Sequence, residues 1–161
     1  MRPIRKKTPD PFLVGLPDRG QQVKTIRIGR QLLLFAAVLW ASPWTMVGLT
    51  IGLLALIKGG QIQRTGRVLE FWGIGPAFFL NTFPLIRGAS AVTFGHAVLA
   101  RDRTCLEWSR SHELVHVRQY ERWGPLFVPA YLFWWVFLWL TGRHPYFDNP
   151  FEREAFRVSG P

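Results

Sequence analysis

Cysteine is almost missing from this 161-residue chain: Cys105 stands alone. One thiol can form no internal disulfide, no multi-cysteine zinc site and no cysteine-ligated iron–sulfur cluster, so any metal falls to histidine and carboxylates. Acid is also short, with 10 Asp and Glu against 20 Lys and Arg, for a net charge of +10. That excess is uneven. Residues 1–30 carry eight basic and two acidic side chains, or +6 of the total. Charge of either sign is missing from two stretches, Gln31–Ile57 (27 residues) and Gly124–Gly142 (19 residues). Such segregation excludes a disordered tail protein and argues against an ordinary water-soluble domain. Yet hydrophobic residues make up only 48% of the chain, too few for a bundle of membrane helices throughout. A basic stretch directly before an apolar run is the usual cytoplasmic anchor of a membrane helix. A nucleic-acid partner is not expected, because its patch would interleave aromatics and cations on one folded face.

The pattern along the chain predicts an α+β protein in three parts. Residues 1–29, with four prolines and no helical period, read as a loosely ordered basic tail. Residues 30–58 hold the apolar run Gln31–Ile57. As one helix it is about 40 Å long, enough for a hydrocarbon core of about 30 Å. Pro43 kinks that span or divides it into a short hairpin. Residues 59–161 mix the two element types. Gln61–Gly73 is β-like around Arg67–Trp72. Ile74–Ile86 is apolar but short and broken by Gly75, Pro76, Asn81 and Pro84, which suits a buried or interfacial segment. Ala89–Arg101, rich in β-formers around Gly95, suits a bent strand or tight hairpin. Leu106–Trp123 turns helical, with Ser109 or Ser111 as N-cap and Gly124-Pro125 as the stop. Pro125–Leu140 is a second apolar helix, and Asn149-Pro150 opens a short helix over Phe151–Val158.

Within the predicted helix lies His112-Glu113-Leu114-Val115-His116, an H-E-x-x-H motif. Positions i and i+4 share a helix face, so both imidazoles reach one ion. Glu113 is turned about 100° from His112, beside the ion rather than on it, where it can take a proton from water. The chain's own four His and six Glu make such a string by chance about 0.004 times.

A strand, a helix bearing HELVH and a downstream glutamate together resemble the zincin metallopeptidases, in the branch whose third ligand is a glutamate. The resemblance implies a minimal zincin-like domain with Zn2+ on His112, His116 and Glu152, and Glu113 as general base. Glu152 fits the branch's E-x-x-A motif in Asn149-Pro150-Phe151-Glu152-Arg153-Glu154-Ala155; Glu154 and then His144 are the alternative third ligands. The branch's aspartate, which steadies a ligand histidine, falls at Phe156, and Asp148 is the nearest substitute. Tyr120 or Tyr146 can donate to an oxyanion, or both are plain interfacial aromatics. In zincins an edge strand binds extended substrate by backbone pairing, a role open to Val92–Leu99. His96 is expected as a strand residue, not a ligand, and Arg110, Arg118 and Arg122 as solvated or lipid-facing cations. HELVHVRQYERWG and NPFEREA, over residues 90–158, are also similar to a group of small bacterial membrane proteins, which implies a shared fold.

Three ligands on one ion must lie on one side of a membrane. If Pro125–Leu140 crossed a bilayer, Glu152 would be parted from the histidines. Its length of about 24 Å falls short of a span, so a re-entrant, interfacial or protein-covered helix is expected. The functional expectation is a bacterial inner-membrane zinc peptidase with a cytoplasmic N-terminus. Its substrate is a peptide or membrane-protein segment at the bilayer surface, and a protein partner can complete so small a site. The rival is a non-catalytic assembly protein in which metal only supports the fold.

Overall fold

The computed structural model describes residues 19–83, 86 and 88–160. Residues 1–18 of the expected tail, and Pro84 and Leu85 of the expected segment Ile74–Ile86, lie outside the described residues. The chain forms two units, residues 1–35 and 36–161. The described part of the first is helical and belongs to α1 (Arg19–Trp40). Residues 19–29 are therefore not a loose tail. Their Arg, Gln and Lys are good helix formers, and extending an existing helix costs little once its nucleus is made.

The apolar run Gln31–Ile57 is two helices, not one. α1 stops at Trp40, Ala41 is a turn, and α2 (Ser42–Ile57) starts with Pro43 in its first turn. Proline has no N–H and cannot sit inside a continuing helix without losing a ladder bond, so it falls where a new helix begins.

The second unit is built on a four-stranded mixed sheet in the order β1-β2-β4-β3. β1 (Gly60–Thr65) and β2 (Val68–Gly73) form an antiparallel hairpin, with Gly60 opposite Gly73 and Thr65 opposite Val68. α3 (Ile74–Thr82) follows, and β3 (Ala91–Phe94) turns into β4 (Ala97–Ala100) at Gly95, whose φ of 59° suits glycine. β4 pairs parallel to β2, Leu69 opposite Ala97, and antiparallel to β3. β3 is thus an outer strand of the sheet.

Each face of the sheet is covered by helix. On one, Phe71, Ala97 and Leu99 pack against Leu49, Ile51 and Leu56 of α2 and Phe79 of α3. The approach of α2 is close because glycines face the sheet. A Cβ on Gly48 would stand 2.7 Å from that of Phe94, and one on Gly52 would stand 2.7 Å from the Phe71 ring. The opposite side of α2 leaves Met46, Leu53, Leu54 and Ile57 exposed.

α4 (Arg103–Trp123) covers the other face, where Leu106 and Val117 join Val68, Val98 and Ala100. It starts three residues earlier than expected, with Asp102 as N-cap accepting from the Cys105 N–H at 2.7 Å, not Ser109 or Ser111. Ser109 instead bonds back to the Cys105 carbonyl. Arg110 is not a lipid-facing cation. It clamps Glu70, which is 1% exposed on β2 and also accepts from Gln63 and Thr65. A buried carboxylate needs such partners, and the clamp fixes the pitch of α4 on the sheet.

A 3-10 turn at Gly124–Leu126 leads into α5 (Phe127–Leu140). Among the described residues, Arg103–Leu140 is a helical stretch long and apolar enough to cross a membrane. Its apolar part is the second half. α4 carries seven Asp, Glu and Arg side chains and α5 none. The chain then turns back through residues 141–149 into α6 (Pro150–Ser159). Asn149, fully buried, accepts from Phe151 N–H as N-cap and donates to the Tyr131 carbonyl on α5. α6 therefore starts beside the first third of α5 and lies against α4.

Candidate metal centre

α4 places His112 and His116 one turn apart on the face turned toward α6, and α6 presents Glu152 in its first turn. The three side chains meet. His112 Nε2 lies 3.1 Å from His116 Nε2 and 3.0 Å from Glu152 Oε2, and His116 Nε2 lies 3.5 Å from Glu152 Oε1. Tetrahedral zinc with ligand bonds of 2.0–2.1 Å needs ligand atoms about 3.3 Å apart. The triangle fits a metal ion, and its donors, two imidazoles and one carboxylate, suit a divalent transition metal. Glu152 and His116 are buried and His112 nearly so.

These groups shift one another's proton affinities. Burial alone would raise Glu152, but hydrogen bonds with His112 and His116, and one donated by Tyr131 at 2.9 Å, hold its carboxyl down to about 2. The N-terminal end of α6 favours the same charged form. Burial alone would depress His116, yet Glu152 and the nearby Glu113 carboxylate push it up to about 9. The cluster is a buried anion surrounded by groups that supply positive charge, which is the demand a metal ion meets.

Glu113 is buried. Burial raises its carboxyl against the pull of His116 and a hydrogen bond from Thr93 on β3, whose Oγ1 donates to Oε2 at 2.6 Å. A carboxyl held above its ordinary range, next to a candidate ion and fixed by a neighbouring hydroxyl, has the setting of a general base. These groups line a cavity of about 1030 Å³, whose walls are mostly apolar, with Trp44, Phe94, Phe127, Trp135 and Phe156 among them.

The alternative ligands lie elsewhere. Glu154 accepts from Gln119 and Arg122 and is not in the cluster. His144 Nδ1 accepts from the backbone N–H groups of Tyr146 and Phe147 in the turn after α5. Asp148 is engaged by Arg143 and the His144 N–H, so it does not steady a ligand histidine. Phe156, at the place of the branch's aspartate, instead packs its ring 4.8 Å from that of His112. Tyr120 and Tyr146 both line the cavity, Tyr120 packed at 4.3 Å on Phe127.

Two partners escaped sequence reasoning. Tyr131 binds Glu152, and Gln119, fully buried, lies with Oε1 2.8 Å from His116 Nδ1. Gln119 sits three residues past His116, on the same face, so its spacing was the available signal; nothing local marks Tyr131. His96 is not a ligand. It lies in the β3–β4 turn, with Nε2 2.9 Å from Glu121, which also binds Arg67.

Comparison with known protein families, curated proteins and solved structures returns no match.

Proposed function

We propose that this protein is a membrane-associated, zinc-dependent hydrolase of the zincin type, cleaving a peptide or membrane-protein segment at the bilayer surface. The observation that carries the reading is the convergence of His112, His116 and Glu152 on one point beside a buried, Thr93-bound Glu113. A zinc ion held there would supply a Lewis acid that polarises a carbonyl and acidifies water. Glu113 takes the proton from the attacking water and returns it to the leaving amine. Tyr146 and Tyr120, on the cavity wall, are the hydroxyls available to the developing oxyanion. β3, an outer strand whose residues Ala91–Phe94 line the same cavity, offers backbone for an extended peptide.

The bilayer part of the proposal is supported by apolar side chains left outside the fold. Ile74 and Phe78 on α3, and Phe133, Phe137, Trp139 and Leu140 on α5, are exposed, as is the outer face of α2. The return of α6 onto α4 keeps Glu152 beside the histidines, so the site does not require α5 to pass through a membrane. The basic N-terminal stretch then belongs on the cytoplasmic side of a bacterial inner membrane.

Elemental analysis of detergent-purified protein tests the metal. Wild type should carry about one zinc per chain, and His116→Ala and Glu152→Ala should carry none. Metal-free wild type after zinc supply would sink the reading. Glu113→Gln separates enzyme from assembly protein, because an enzyme keeps its zinc and loses turnover whereas a structural protein is indifferent.

A further inference from the structure

The amide of Gln119 has only one satisfactory orientation. Two acceptors, the Phe151 carbonyl and Glu154 Oε2, each lie 3.0 Å from its nitrogen, which has two hydrogens to give. Its oxygen is thereby turned to His116 Nδ1 at 2.8 Å. A carbonyl oxygen accepts and never donates, so Nδ1 must carry the hydrogen. Neutral His116 is then left with its lone pair on Nε2, the atom 3.1 Å from His112 Nε2 and facing Glu152. Behind the amide, Glu154 adds negative charge to the nitrogen end while Arg122 steadies its other oxygen at 3.2 Å. Polarising the amide from its nitrogen end makes its oxygen a better acceptor.

We propose that Glu154–Gln119 is a positioning relay for His116: it fixes the tautomer that exposes Nε2 to a metal ion and makes that nitrogen more basic. The role rests on the metal-site reading above and adds to it. Elsewhere such a role commonly goes to a carboxylate, a backbone carbonyl or a water touching the histidine. Here a neutral amide touches the ring and the carboxylate stands one step back, where it also ties α4 to α6. Glu154 thus serves the site without ligating in it.

The relay can be tested apart from the metal. In the full-length, detergent-solubilised protein, zinc affinity is measured by chelator competition, thermal melting of the zinc-free form reports the fold, and ring 15N shifts report the His116 tautomer at alkaline pH. Gln119→Leu should lower zinc affinity about 10–100-fold and remove the Nδ1–H tautomer preference. Glu154→Gln still accepts the amide hydrogen but has lost its charge, so affinity should fall a few-fold with melting little changed. Gln119→Glu is the discriminating variant. A carboxylate accepts from Nδ1–H but cannot donate to Phe151 or Glu154, so melting should drop while zinc affinity holds within a few-fold of wild type. A purely structural Gln119 would instead make affinity follow melting through all three variants, overturning the relay. Wild type in the other tautomer would overturn it too. Wild type with the expected tautomer but no zinc uptake would uphold the relay's geometry and sink the metal reading alone.

Discussion

α4 and α5 follow one another in a single stretch of chain, separated by one 3-10 turn, yet they are opposite in character. α4 has seven charged side chains and buries eight residues, from Leu106 to Tyr120. α5 has no charge and buries only Phe127 and Leu138. The polar helix is thus the enclosed one, and the apolar helix is the one left open. In water that order would be inverted, since apolar area is what burial removes most profitably. The contrast teaches that this fold leaves the apolar surface of α5 uncovered, whereas α4 is held by specific partners: the Glu70–Arg110 clamp, the His–Glu152 cluster and the Gln119 amide.

The sharpest break in that contrast lies within α4 itself. Glu113→Gln should cut hydrolysis by about 10²–10⁴-fold, the usual share of a general base, with zinc content unchanged by elemental analysis. Removing the clamp comes next. Arg110→Ala leaves Glu70 buried without its cation and should cost about 3 kcal/mol by denaturant titration.

Acidity sharpens the comparison because only α4 and α6 carry the coupled groups. Glu152, held down to about 2, contributes stability that is complete above its ordinary 4.5 and is lost as pH falls toward 2. His116, held up to about 9, contributes stability that is complete below 6.5 and is lost as pH rises through about 9. The zinc-free protein should therefore melt at lower temperature as pH climbs from 6.5 to 9. The zinc-loaded protein should stay nearly flat there, since its histidines bind as neutral rings. Equal pH slopes in scanning calorimetry would speak against the metal.

On α5 a spin label at Phe133 or Trp139 should collide with oxygen dissolved in lipid, and one at Arg118 on α4 with a water-soluble relaxant. Water contact at Trp139 would undo the contrast between the helices. The smallest effect belongs to the exposed Arg103–Glu107 pair at the start of α4. Arg103→Ala should change stability by no more than about 0.5 kcal/mol.

How much of this was visible in the residues depended on how local the signal was. The α+β class, the hairpin at Gly95, α6 after Asn149-Pro150 and the pairing of His112 with His116 all follow from short-range spacing. Glu152 was reached through a motif rather than a period. The break at Ala41 was half legible, because Pro43 marks a disturbance without saying whether a helix bends or restarts. The small-residue face of α2, Gly48 and Gly52, was hidden inside a run that reads as uniformly apolar, and only the sheet beneath it gives those glycines a reason. Arg110 was misjudged for a similar cause. Its partner Glu70 is 40 positions away on β2, and no pattern within α4 distinguishes it from Arg118. The Tyr131 contact depends likewise on where α6 lands, as do the bonds of Gln119 to Phe151 and Glu154.

The docking of α6 also sets an order in time. His112 and Glu152 are 40 residues apart in the chain, which at ribosomal speed is roughly 2–8 s of synthesis. During that interval the histidine pair exists without its carboxylate, and Asn149 has yet to cap α6 or reach Tyr131. A nascent chain therefore cannot bring His112, His116 and Glu152 together until α6 has been made and has returned to α4.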